Sequence, residues 1–110
     1  MAAQADKKLE NLAFYLTELC LMEYEALRFR PWLLSASAVY VARCTLQIMP
    51  AWTPLLGWHL RYNESQIRDC AAMTLKFHKA AQMGVLNVTY EKYSRPELGG
   101  VATLKPLYKI

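Results

Sequence analysis

The feature that most constrains this chain is a run beginning at Pro31, PWLLSASAVYVARCTL, in which Arg43 is the only charged residue. Proline suits the first turn of a helix, where its missing N–H has no partner to lose. A helix that is apolar on every side must be surrounded by other elements. Its small residues Ser35, Ala36, Ser37, Ala38 and Ala42 let neighbouring helices approach closely. The run therefore predicts the central helix of a packed domain, from Pro31 to Leu46. A membrane span is the rival reading. It needs about 20 apolar residues, and this run is shorter, holds two serines and is broken by Arg43.

The remainder reads as all-α, because the first glycine is Gly57, prolines punctuate the chain, and apolar residues recur at helical spacing. A first helix is expected from about Asp6, as its cap, to Met22, with Leu9, Leu12, Ala13, Leu16, Leu19 and Cys20 facing inward. Phe14 and Tyr15 fall on its flank, towards a neighbouring surface. MEYEALRFR has no clear period and reads as a loop or short turn. A short helix should follow Thr53-Pro54 and end near His59 or Leu60, with threonine as cap. Thr53-Pro54 is also a minimal proline-directed phosphorylation site, but both residues already stand where a helix start uses them.

Asn63-Glu64-Ser65-Gln66 has the form of a capping box and opens a fourth helix, with Ile67, Cys70, Ala71, Thr74, Phe77, His78 and Ala81 inward and Gly84 as its stop. A fifth, from Leu86 to Tyr93, would bury Leu86, Tyr90 and Tyr93. The tail from Ser94, containing Pro96, Gly99, Gly100 and Pro106, is expected to be extended.

Length allows one domain: 110 residues with 55% hydrophobic side chains close a single core without staples. Cys20, Cys44 and Cys70 leave one thiol unpaired under any pairing, unlike a secreted disulfide framework. The start, MAAQADKK, has no apolar signal segment, so an intracellular protein is expected and the sequons at Asn63 and Asn87 read as coincidence. The net charge of +4 leaves nucleic acid or an acidic partner open, yet the basic residues never run more than two together.

No arrangement of catalytic groups emerges. Cys70 and His78, eight residues apart, stand about 12 Å apart along one helix, too far for a nucleophile and its base. Cys20 or Cys44 meeting His59 or His78 is required by nothing in the sequence. Two histidines and dispersed cysteines lack the close ligand pairs of a zinc site. Gly99-Gly100 follows the last helix rather than preceding one, so it is no phosphate loop. Glu10, Glu18, Glu64 and Asp69 fall on predicted solvent faces, and His78 reads as a hydrogen-bonded core residue. Trp32, Trp52 and Trp58 read as packing rather than as stacking platforms for bases, because no basic cluster lies between them. No catalytic, cofactor or metal residue is assigned, and no partner-contact residue.

Taken in order, LENLAFYLTELCLMEYE, the SAVYVARCTL part of the central run, PAWTPLL, RYNESQIRDCA, KFHKAA and TYEKYSRPELGGVA resemble the second cyclin box of plant B-type mitotic cyclins. The resemblance covers nearly the whole chain. It implies a five-helix cyclin fold, with residues 1–8 as inter-box linker and helix start and residues 9–110 as the C-terminal cyclin domain. It also implies a regulatory, non-catalytic role. The expected partners are a cyclin-dependent kinase, bound through the full-length cyclin at the G2/M transition, and an N-terminal cyclin box. The expected location is nucleus and cytoplasm. Because the family's principal kinase contacts lie in the box missing here, no kinase-contact residue carries over. The isolated piece is expected to expose apolar surface and self-associate. The alternative is a basic cyclin-like module for nucleic acid or a transcription partner, as in general transcription factors resembling transcription factor IIB.

Overall fold

The computed structural model describes residues 2–83 and 88–106, with side chains over 7–83 and 89–106. Among them stand five α-helices and no strand: α1 (Ala2–Leu21), α2 (Pro31–Thr45), α3 (Pro54–Leu60), α4 (Glu64–Gln82) and α5 (Val88–Tyr93). MEYEALRFR becomes a 3-10 turn over Tyr24–Arg28. Among the described residues no helix is long and apolar enough to cross a membrane.

Local chemistry sets most of these boundaries. The Thr53 hydroxyl accepts from the Leu56 N–H at 3.1 Å, opening α3 as expected. At α4 the box closes in both directions: Asn63 Oδ1 accepts from Gln66 N–H at 2.9 Å, and Gln66 Oε1 accepts from Asn63 N–H at 2.8 Å. Arg61 ends α3 with φ +65°. The start of α1 departs from expectation, since Asp6 lies inside the helix rather than capping it. The preceding AAQA is rich in the strongest helix former, so nothing there stops propagation. Gly84 and Leu86 lie outside the described residues.

α2 packs against both α1 and α4, which also meet each other, and this trio forms the core. Leu12, Leu16 and Cys20 of α1, Ala36, Ala38, Val41 and Ala42 of α2, and Ile67, Cys70 and Ala71 of α4 are fully buried. The small α2 side chains Ala36, Ser37, Ala38 and Ala42 are fully buried, as expected of a central helix. Two expectations fail. Tyr15 is not on a flank but fully buried, in contact with Tyr93 at 5.4 Å and His78 at 6.1 Å between ring centroids. α5 and the tail cover that side of α1, so its buried face is wider than two packed helices would need. Trp32, in the first turn of α2, is 77% exposed, while Leu34 in the same turn is buried in the core, so Trp32 falls on the outer side of the helix start.

The tail is not extended. It folds into 3-10 turns over Pro96–Leu98 and Val101–Thr103, joined by Gly99 and Gly100 with φ of +76° and +60°. Two consecutive left-handed residues turn the chain back, a conformation glycine adopts without penalty. Val101 and Ala102 are thereby fully buried against α1 and α5, and the Gln82 side-chain amide donates to the Ala102 and Leu104 carbonyls. The apolar burial outweighs any preference for an extended tail.

Candidate interaction surface

The nucleophilic and titratable groups sit where they support the fold. Cys20 and Cys70 are buried, and burial raises both thiols, Cys20 to about 11. Thr74 joins them: its hydroxyl donates to the Cys70 carbonyl at 2.9 Å and lies 3.5 Å from Cys20 Sγ. Cys44, half-buried, is also raised by burial. Thiols held protonated are poor nucleophiles. Among the described residues no three metal-ligating side chains gather.

His78 is fully buried in α4, as its position predicts, and among the described residues neither ring nitrogen makes a hydrogen bond of good geometry, with the Leu104 backbone beside it as a weak partner. Burial pushes its pKa down to about 4, and the Leu104 backbone beside it offsets this only in part. No thiol is paired with it. His59, exposed on α3, stands edge-on to Trp58 at 5.2 Å.

Two carboxylates expected simply in solvent prove to be ties between elements. Glu18 of α1 accepts from the Tyr93 hydroxyl at 2.8 Å and from Lys92 Nζ at 3.1 Å, fastening α5 to α1. Glu64 accepts from the Tyr40 hydroxyl at 2.9 Å, fastening the start of α4 to α2. Burial, together with these acceptors, raises both tyrosines to about 12. Glu10 and Asp69 are exposed, as expected. Arg43, the lone charge of the apolar run, donates to the Ala51 and Pro50 carbonyls at 3.0 and 3.1 Å, holding the segment between α2 and α3.

What remains is surface, and parts of it are apolar. Leu21, Met22, Tyr24 and Leu27, around the end of α1 and the following turn, are all more than half exposed. A second group lies at α3 and the start of α2. Trp58 is 76% and Leu55 65% exposed, beside the protruding Trp32. Trp52 follows the expectation of packing, half-buried with its indole N–H donating to the Tyr62 carbonyl at 3.0 Å. Trp32 and Trp58 do not, and no motif in the sequence marks them as different from Trp52.

Fold and surface together define a small all-helical domain that presents apolar and aromatic side chains around a three-helix core. Residues 1–107 match the family described as the cyclin C-terminal domain. The chain belongs to that family. It is 63% identical to cyclin-B3-1 of Arabidopsis thaliana over 109 residues, covering 99% of this chain and 28% of that protein. It is 44% identical over 105 residues both to G2/mitotic-specific cyclin S13-7 of Glycine max and to cyclin-B1-2 of Arabidopsis thaliana. These matches cover 96% of this chain but 41% and 24% of the two relatives. The chain thus spans between about a quarter and two fifths of the length of these curated relatives. The all-helical cyclin fold expected from the sequence is the fold observed.

Proposed function

We propose that this chain is the C-terminal, supporting half of a mitotic cyclin which, joined to an N-terminal cyclin box, binds and activates a cyclin-dependent kinase at the G2/M transition. The observation that carries this reading is the family match over residues 1–107, with relatives named as G2/mitotic-specific cyclins. The domain has no catalytic activity of its own and acts in nucleus and cytoplasm. The nucleic-acid alternative has no support among these relatives.

A pull-down from dividing-cell extract tests the proposal, comparing this chain with the same chain joined to a first cyclin box. Retention of the kinase by the joined form alone is the expected result. Retention by neither form refutes the reading. Alone, the domain self-associates through its exposed apolar residues, so sedimentation should show dimers or larger species at micromolar concentration. A strict monomer would contradict that part.

A further inference from the structure

Two adjoining grooves beside α3 carry chemistry that the kinase-regulating role leaves unused. One, of about 780 Å³, is lined by Trp52, Thr53, Pro54, Gly57, Trp58 and Asn63, and the other, of about 520 Å³, by Arg30, Trp32 and Leu60. They share His59, Arg61 and Tyr62 as a common wall, so they form one continuous face.

Its charge is one-sided. Neither groove is lined by an aspartate or glutamate, whereas Arg30 and Arg61 both are present and both exposed. Three basic side chains on other faces of the molecule find acids: Lys76 and Arg28 meet Glu25, and Lys92 meets Glu18. Arg30 and Arg61 enter none of the ion pairs among the described residues. The carboxylate nearest Arg61 in sequence, Glu64, already receives the Tyr40 hydroxyl. The face therefore joins two guanidinium groups without acids to two tryptophans that are about three-quarters exposed. Exposed tryptophan and arginine are the residue types that most often anchor partners, and guanidinium matches carboxylate in a two-point fork.

We infer that this face docks an acidic segment of a partner protein, its carboxylates on Arg30 and Arg61 and its apolar side chains on the indoles of Trp58 and Trp32. Charge complementarity selects the occupant. A nucleic-acid strand would need a track of cations along its backbone, and the chain's other basic residues are dispersed. The inference does not rest on the kinase reading and survives its failure.

Fluorescence anisotropy on the intact chain tests it, with a short labelled peptide of Glu, Asp and Phe, its Gln, Asn and Phe counterpart, and labelled oligo-dT. The informative variant is R30D/R61D. Aspartate is a preferred residue at the cap position that Arg30 holds before α2, and it tolerates the left-handed backbone of Arg61, so the fold is preserved. Unchanged circular dichroism checks this. The wild-type chain should bind the acidic peptide about ten-fold more tightly than the amide peptide, and R30D/R61D should lose that preference, as two exposed ion pairs would give. Trp58→Ala should weaken the acidic peptide about five-fold or more, as truncating an anchor does. Equal binding of the two peptides, an unaltered preference in R30D/R61D, or tighter binding of oligo-dT would each overturn the assignment.

Discussion

His78 makes stability depend on pH in a window that carboxylates barely reach. In the folded chain its imidazole has a pKa of about 4, against roughly 6.5 when unfolded. Because the folded value is depressed, the unfolded chain takes up the proton first. Stability is complete above about pH 6.5, falls as pH drops from there towards 4, and then levels off. The whole gap corresponds to about 3 kcal/mol, and lowering pH from about 7.5 to about 5 should remove roughly 2 kcal/mol. For a domain whose total is of order 5–15 kcal/mol, that loss is readily measured. Urea unfolding at both pH values, on wild type and His78→Leu, isolates the effect, since every other titrating group is common to the two proteins and cancels in the difference. The leucine variant should lose the slope. At neutral pH it should match or exceed wild type, having removed two buried nitrogens that are poorly satisfied among the described residues. Identical pH slopes in the two proteins, or a His78 ring resonance titrating near its ordinary value, would refute the reasoning.

Asn63→Ala removes the side-chain arm of the capping box, leaving the backbone N–H of residue 63 to Gln66, and should lower stability by about 1 kcal/mol, read as a lower urea midpoint at unchanged slope. Tyr15→Phe removes a buried hydroxyl that has no partner among the described residues and should raise stability by about 1 kcal/mol; a destabilised variant would mean that the hydroxyl is satisfied. With a disulfide reagent at neutral pH, Cys20 and Cys70 should react only after denaturant is added, with Cys44 reacting before them; prompt release from all three in the native protein would contradict their burial.

The helix starts at Thr53 and Asn63 and the inward stripe of α4 depend on residues within a few positions of one another, so the sequence carries them openly. The pairs that tie helices together do not have that property. Tyr40 reaches Glu64 across 24 residues and Tyr93 reaches Glu18 across 75, and nothing in the spacing of a tyrosine and a glutamate announces such a meeting. Tyr15 was hidden for the same reason, since its burial is decided by α5 and the tail. The arginines and tryptophans beside α3 were the least legible. Trp32, Trp52 and Trp58 are chemically identical, and only the packing of α2 and α3 decides that Trp52 turns inward while the other two stay in water.

The folded tail bears on how the domain is made. Within this domain α1 is synthesised before the other helices, yet part of its buried face is covered by α5 and by the turn at Val101–Thr103, far along the sequence. A nascent chain that has reached only Gln82 can already bring α1, α2 and α4 together, while Tyr15 still lacks Tyr93 beside it. Contacts between distant parts of a chain form late because the intervening loop must close first. On the ribosome this domain therefore waits, with an apolar flank of its first helix uncovered, until nearly its last residues emerge.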